Sequence, residues 1–218
     1  MKRLLLLCAL IATGTGCAVH PTSITTDPDG AFLSVNGNGI GAAPNQYTFD
    51  FGKSENYALK ATKPGYFDEI INVNDKTPHD TGIHLALQQD ASWMQTATTE
   101  ANNTWLRIQV SPDLKSDGMW QKLVDTVTNR YSSLEQLDVA SGYMRSVAVV
   151  KTYHHPIRGD FSIRTQFIGA VSQKEPLVYK VKIQSDRSDV PGQWQPYERV
   201  FKEDAQMVDE LQTRIGSK

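Results

Sequence analysis

Short runs of alternating apolar and polar residues, separated by turn-forming residues, dominate the first half of the chain. Tyr47, Phe49 and Phe51 alternate with polar residues, and the segment from Tyr57 to Thr62 repeats the pattern. A period of two is typical of a β-strand with one buried face. Because Gly, Pro, Asn and Asp recur between the runs about every ten residues, residues 22–90 are predicted to form a small antiparallel β-sandwich.

The turns of this segment follow a recognisable pattern. Pro28-Asp29-Gly30-Ala31 predicts a turn, since Pro fixes φ and Gly permits positive φ, and Asn36-Gly37 is a strong hairpin signal. The later residues of the pattern are Gly41, Pro44, Lys63, Gly65 and Tyr66. Together they resemble the PEGA domain, with Asp29 in place of Glu and Ala43 in place of the usual Thr. The resemblance covers about a third of the chain. It implies a small β-sandwich that serves as an accessory module of envelope and surface proteins, without catalytic residues.

The first seventeen residues have the layout of a secretory signal. Lys2 and Arg3 precede an apolar run from Leu4 to Ala12, and small residues then lead to Cys17. The run is too short for a membrane-spanning helix, which needs roughly 20 apolar residues. Residues 1–16 are therefore predicted to be a signal peptide that is removed from the mature protein.

The end of this signal resembles the cleavage box of bacterial lipoproteins, because Gly14, Thr15 and Gly16 run directly into Cys17; Gly14 stands where that family most often has Leu. The resemblance implies that Cys17 carries acyl chains such as palmitate and that residues 17–21 form a lipidated tether. It also implies sorting to the outer membrane, since Ala18 replaces the Asp that commonly marks retention at the inner membrane. The alternative is an ordinary signal peptide with an unlipidated Cys17. Against it, an exposed thiol is a liability in an oxidising compartment.

A different pattern begins at Thr104, after a polar segment (residues 91–103) that is predicted as a helical or extended linker. A strand at Leu106 to Val110 precedes a helix that starts near Ser116, and a last amphipathic helix runs from Phe201 to Ile215. Four strands are predicted between the helices, including one long strand from Tyr143 to Tyr153, and residues 185–196 are predicted as a polar loop. The order β-α-β-β-β-β-α favours an α+β domain over residues 104–216, with an antiparallel sheet and two helices on one face. This order is similar to that of the helix-grip domains in the C-subunit lipoprotein of the β-barrel assembly machinery.

Several kinds of chemistry are disfavoured by the sequence. Both cysteines lie in the first seventeen residues, so the rest of the chain holds neither a disulfide framework nor a multi-cysteine zinc site. A net charge of -2 argues against a general affinity for nucleic acid or anionic lipid. His154 and His155 point to opposite faces of a strand unless the chain bends there, so a metal or hydrolase site with Asp160 is a minor hypothesis. We therefore expect no catalytic residues and no cofactor.

The residues with the best prospect of contacting a partner lie in the second half. Arg164, Lys180 and Lys182 would form a basic patch for an acidic partner or a glycan phosphate if they share one sheet face; otherwise they belong to a solvated face. Trp194 and Tyr197 lie in a loop rich in Gln, Gly and Pro. Large aromatic residues often anchor interfaces, although Trp194 is equally compatible with a loop residue packed over the sheet.

These observations predict a non-catalytic, periplasm-facing outer-membrane lipoprotein. We expect it to act as a structural or docking subunit of a cell-envelope assembly, such as a secretion or motor complex. Its expected partners are the outer membrane, through acyl chains on Cys17, and envelope proteins. The alternative function is a module that binds peptidoglycan or another envelope glycan.

Overall fold

The computed structural model describes residues 19–217 and separates into two compact units, with the division between Gln88 and Gln89. Most of the described chain is antiparallel β-sheet, and its three helices all lie in the second unit. Cys17 and the predicted signal peptide lie outside the described residues.

The first unit contains two sheets that contribute to one hydrophobic core. Its strands are β1 (Val19–Asp27), β2 (Phe32–Val35), β3 (Asn38–Ala42), β4 (Asn45–Asp50), β5 (Asn56–Thr62), β6 (Glu69–Asn74) and β7 (Ile83–Ala86). One sheet has the order β4-β1-β7 and the other has the order β3-β2-β5-β6. Buried residues from both sheets meet in the core, including Ile24, Leu33, Phe49, Leu59 and Leu85.

Two details of the first unit differ from the sequence prediction. Residues 19–21, expected in the tether, are the first residues of β1 and are paired with β4. The pairing of β1 with β7 is parallel, whereas an antiparallel arrangement was expected throughout.

Asn36 and Gly37 form the β2–β3 hairpin turn with positive φ angles of 49° and 81°. Two successive positive φ angles suit the right-handed twist of the strands, which explains why Asn-Gly stands there.

The second unit is built around a seven-stranded antiparallel sheet. Its helices are α1 (Ala91–Gln95), α2 (Ser116–Arg130) and α3 (Lys202–Ile215). Its strands are β8 (Thr96–Ala97), β9 (Leu106–Gln109), β10 (Leu134–Asp138), β11 (Tyr143–Ser146), β12 (Val149–His155), β13 (Gly159–Lys174), β14 (Leu177–Val190), β15 (Gln193–Pro196) and β16 (Val200–Phe201). The main order is β10-β11-β13-β14-β15, with β12 also paired to β13 and β9 also paired to β14. Strands β16 and β8 form a separate pair.

The core of the second unit lies between α2, α3 and one face of the large sheet. Trp120, Leu123 and Val127 of α2 and Val208 and Leu211 of α3 belong to the same buried cluster as the sheet residues Phe167, Tyr179, Val181 and Ile183. The sheet residues have odd numbers, so the odd positions of β13 and β14 face the helices. We call this side the inner face and the opposite side the outer face.

Residues 91–103, predicted as a linker, belong to the second unit and contain α1 and β8. Asp90 caps α1 by accepting hydrogen bonds from the backbone amides of Ser92 and Trp93. Arg199 donates hydrogen bonds to Thr96 Oγ1 at 2.8 Å and to Thr96 O at 2.7 Å, and its guanidinium lies 3.8 Å from the centroid of the Trp93 ring. The segment is therefore held by a residue about one hundred positions later in the chain.

Two further predictions in this unit need correction. The long strand from Tyr143 to Tyr153 is divided into β11 and β12, because the β13 amide of Phe167 donates to the side-chain hydroxyl of Ser146 at the break. Residues 185–196 are not a loop, since β14 continues to Val190 and forms a hairpin with β15. Ser185 and Ser188 are buried there and donate to backbone carbonyls of Arg199 and Val190. Because these buried positions are polar, the segment lacks the apolar alternation that would have predicted a strand.

Candidate functional site

The outer face of the large sheet carries the polar and charged side chains that the helices do not cover. The register pairs Arg164 with Asp186, Gln166 with Gln184, Ile168 with Lys182 and Ala170 with Lys180. Directly paired residues project to the same side of a sheet. Arg164, Lys180 and Lys182, which the sequence placed together conditionally, therefore share the outer face.

Two of these residues surround an exposed tryptophan near β9. The Lys180 and Lys182 ammonium groups lie 4.6 and 5.1 Å from the centroid of the Trp105 ring, and Trp105 is 39% exposed. Arg107 is paired directly with Lys180 across the two strands. We call Trp105, Arg107, Lys180 and Lys182 the basic patch.

The positive charges of the basic patch are not compensated by carboxylates. Among the residues that the structure describes, no ion pair includes Arg107, Lys180 or Lys182. Like charges placed opposite one another across two strands destabilise a sheet. The Trp105 ring offsets part of this cost, because a cation over an aromatic face is attracted by about 0.5–1 kcal/mol at an exposed site. The patch remains a concentrated positive charge on a protein with net negative charge.

Arg164 is separate from the basic patch. The pair Gln166–Gln184 lies between it and Lys182 in the register. Arg164 Nε lies 3.0 Å from Asp186 Oδ2, and its guanidinium lies 4.3 Å from the centroid of the Trp194 ring. Its charge is thus already matched by a carboxylate.

Trp194 and Tyr197 do not form one contact surface. Trp194 lies two residues before Pro196, which is paired with the outer-face residue Asp186, so Trp194 projects to the outer face. Tyr197, one residue after Pro196, stands opposite Ser185, and its amide donates to the Ser185 carbonyl. Ser185 is an inner-face position, so Tyr197 lies on the other side of the strand from Trp194. Tyr197 is half-buried, and this burial raises the pKa of its hydroxyl.

A polar groove opens on the outer face beside Arg164, with a volume of about 320 Å³. Its polar lining residues, which define the polar groove, are Glu135, Arg145, Arg164, Gln166, Gln184 and Asp186. Gln166 and Asp186 are only 8% and 7% exposed, so they form its floor. The rim consists of longer, more accessible side chains, including Glu135 and Arg145.

The floor of the groove is held by two groups of hydrogen bonds, one around Gln166 and one around Asp186. Gln166 Nε2 donates to Glu135 Oε2 at 3.0 Å and to the carbonyl of Ser146 at 2.6 Å, while its Oε1 accepts from Arg145 Nη2 at 2.9 Å. Asp186 Oδ2 accepts from Arg164 Nε at 3.0 Å and from Gln184 Nε2 at 3.2 Å. A second ion pair joins Arg145 Nε and Glu135 Oε2 at 3.2 Å. Each arginine of the groove therefore faces one carboxylate.

The histidine pair does not assemble a metal or hydrolase site with Asp160. His154 is exposed and its Nδ1 lies 2.7 Å from Asp160 Oδ1, whereas His155 is buried and its Nδ1 accepts from the amides of Ile157 and Arg158. Burial lowers the pKa of His155 below its ordinary value of 6.5. Within residues 19–217, no group of three or more His, Cys, Asp or Glu side chains is placed to hold a metal ion.

Sequence reasoning missed most of the groove. Gln166, Gln184 and Asp186 were not selected, because single polar residues in strands are common on a solvated face. A signal was nevertheless present: these residues share the alternating positions of Arg164 and Lys182, so a prediction of the outer face would have included them.

Comparison with protein-family models, with curated proteins and with solved structures finds no match to the chain. No helix among the described residues has the length and apolar character needed to cross a membrane.

Proposed function

We propose that the chain is a non-catalytic outer-membrane lipoprotein that faces the periplasm and acts as a docking subunit of a cell-envelope assembly. The basic patch would bind an acidic segment of a partner protein. The observation that carries the docking role is the basic patch, in which two lysines flank the exposed Trp105 ring and Arg107 lies opposite Lys180 on the same sheet face. None of these three cations has an ion-pair partner among the described residues.

Charge complementarity is the reason to expect an acidic partner. Without residues 1–16, which contain Lys2 and Arg3 and no acidic residue, the net charge of -2 becomes -4. A local cluster of positive charge on an acidic protein steers an acidic surface toward one face and repels other orientations. Trp105 adds apolar area at the centre of the contact, where aromatic residues contribute most to binding.

The membrane anchor is proposed from the sequence of the first seventeen residues. Two or three acyl chains on Cys17 would give stable attachment, since one chain binds only marginally.

A PEGA-like accessory role for the first unit is also proposed from the sequence. It is supported by the turns at Gly30, Asn36-Gly37 and Gly65, which have positive φ angles at the motif positions.

Lipidation is tested by labelling cells with an alkyne analogue of palmitate and measuring the mass of the purified mature protein. The natural chain should incorporate the label and begin at Cys17, and Cys17→Ser should lose both the label and the membrane fraction. An unlabelled natural protein of unmodified mass would overturn the anchor.

Docking is tested by placing a photo-crosslinking amino acid at position 105 or 107 of the full-length lipoprotein in native envelopes. The matched control carries the crosslinker at Gln206, an exposed position on α3. We expect a discrete adduct with a protein of acidic surface at 105 and 107, absent at 206 and lost when Lys180→Glu and Lys182→Glu are combined. Adducts of equal intensity at all three positions, or adducts insensitive to charge reversal, would contradict the docking role.

A further inference from the structure

We propose that the polar groove is a binding site for an uncharged saccharide unit of an envelope glycan. This site is separate from the basic patch and does not depend on the docking role. It gives a location to glycan binding, which the sequence left as the alternative function.

The first argument is the charge balance of the groove. Arg145 faces Glu135 and Arg164 faces Asp186, so the lining carries two positive and two negative charges in matched pairs. An anionic ligand would have to compete with Glu135 and Asp186, and a cationic ligand with the two arginines. An uncharged ligand meets neither penalty.

The second argument is the mixture of donors and acceptors that remain for a ligand. Among the described residues, the guanidinium of Arg164 donates only through Nε, and Gln184 is bonded only through Nε2. Nη groups of Arg164 and the Oε1 atom of Gln184 therefore have hydrogen-bonding capacity left. A sugar hydroxyl both donates and accepts, so adjacent hydroxyls can bond to a guanidinium and to a carboxamide oxygen at once.

The third argument is the rigidity of the floor. Gln166 makes three hydrogen bonds and Asp186 makes two, and both residues are buried. Side chains fixed before binding lose little conformational entropy when a ligand arrives. Such a floor suits a ligand whose polar groups have fixed spacing, as the hydroxyls of a pyranose ring have.

Trp194 orients one of the groove residues. Arg164 lines the groove, and its guanidinium carbon lies 4.3 Å from the centroid of the Trp194 ring. This contact adds to the rigidity of the groove, because it restricts the guanidinium that would bond to a ligand. With a volume of about 320 Å³ the groove is at the small end of the range for ligand sites, which is appropriate for one or two sugar rings of a longer chain.

The experiment titrates the full-length mature protein with an uncharged tetrasaccharide of N-acetylglucosamine, followed by tryptophan fluorescence and by nuclear magnetic resonance. Inorganic phosphate and polyglutamate serve as anionic probes. The test variant is Gln184→Ala, and the matched control is Lys182→Ala, the neighbouring residue on the same strand face but in the basic patch. Thermal melting of each variant verifies that it remains folded.

We expect saturable binding of the tetrasaccharide, weakened roughly tenfold by Gln184→Ala, which is the loss of about one hydrogen bond, and unchanged by Lys182→Ala. Three outcomes would overturn the saccharide site. Binding of the tetrasaccharide fails to saturate at millimolar concentrations, both variants weaken its binding equally, or phosphate displaces it. Because the docking role is measured by crosslinks at positions 105 and 107, either proposal can fail while the other stands.

Discussion

Arg130 and Asp204 form a buried ion pair that connects the end of α2 to the start of α3. Arg130 Nε lies 2.6 Å from Asp204 Oδ1, and Asp204 is completely buried. The hydrogen-bonding capacity of the pair is incompletely used, since Arg130 Nη2 and Asp204 Oδ2 have no hydrogen-bond partner within residues 19–217. It therefore holds the two helices in one arrangement while leaving part of its desolvation cost uncompensated.

We expect removal of one partner of this pair to be strongly destabilising. Asp204→Ala and Arg130→Ala should each lower the free energy of unfolding by about 3–5 kcal/mol, because each leaves a buried charge unpaired. The double variant should cost clearly less than the sum of the two. Urea denaturation of the four proteins measures the coupling, and strictly additive losses would show that the pair is not an energetic unit.

Asp204 should also make stability depend on pH. Burial raises the pKa of its carboxyl above the ordinary value of 3.8, and the opposing charge of Arg130 does not fully restore it. An acid with a raised folded-state pKa is stabilising while it is protonated. Its contribution is therefore complete below pH 3.8 and declines as the pH rises through the folded-state value.

The measurement is the difference in free energy of unfolding between the natural protein and Asp204→Asn at a series of pH values. We expect the stability of the natural protein relative to Asp204→Asn to fall as the pH rises from 3.8, and to become constant once the pH is above the folded-state pKa of Asp204. If the natural protein instead becomes more stable relative to Asp204→Asn as the pH rises from 3.8, the ion pair with Arg130 lowers the pKa of Asp204.

His79 should be a major stabilising residue of the first unit. Its Nε2 lies 3.0 Å from the carbonyl of Asn74, which can only accept, so Nε2 carries a proton, and its Nδ1 lies 2.8 Å from the hydroxyl oxygen of Thr22. Its ring also stacks on His20, with centroids 4.6 Å apart. His79→Ala should cost about 2–4 kcal/mol, because it leaves buried polar groups unpaired and removes aromatic contacts.

The control for this prediction is His84→Ala. His84 is exposed and bonds to Thr25 at 3.0 Å, so its loss should change stability by no more than about 0.5 kcal/mol. Thermal unfolding of both variants makes the comparison, and similar losses for the two histidines would argue against a structural role specific to His79.

Gly142 should tolerate no side chain. It has a φ angle of +76°, and a Cβ atom there would lie 2.8 Å from Val171 Cβ and closer to Val171 Cγ2. Gly142→Ala should cost about 2–4 kcal/mol from backbone strain and overlap together. Gly192→Ala is the matched control, since Gly192 has a φ angle of +83° but no atom near the added Cβ, so only about 1–2 kcal/mol of strain is expected.

Combining Gly142→Ala with Val171→Ala separates the two contributions. Removal of the Val171 methyl groups should recover part of the loss, because the closest overlap, with Cγ2, is relieved while the contact with Val171 Cβ and the backbone strain remain. The loss is compared with that of Val171→Ala alone by chemical denaturation. If adding Gly142→Ala costs as much in the Val171→Ala protein as in the natural protein, overlap with the Val171 methyl groups is not the cause.

The regular elements of the chain were largely predictable where apolar residues follow one period. Strands β4, β5 and β9 and helices α2 and α3 all have a simple alternation or a single apolar stripe, so their sequences indicate their buried faces. The hairpin of β14 and β15 was missed because Ser185 and Ser188 are buried through hydrogen bonds to distant or local carbonyls. A polar side chain can be buried when it has a hydrogen-bond partner, and such a residue does not contribute to a pattern of regularly spaced apolar residues in the sequence.

The candidate site divides in the same way. The sequence by itself determined that Lys180 and Lys182 project to one side of their strand, because the side-chain period of a strand is fixed at two residues. It left open whether Arg164 lies on the same side, which the register of β13 and β14 decided. Only the tertiary structure decided that β9 brings Trp105 and Arg107 beside the lysines and that Asp186 neutralises Arg164. Pairing between distant strands sets these neighbours through a register that depends on the whole core, and local sequence does not encode it. A predicted patch of three cations thus became a basic patch and a charge-balanced groove.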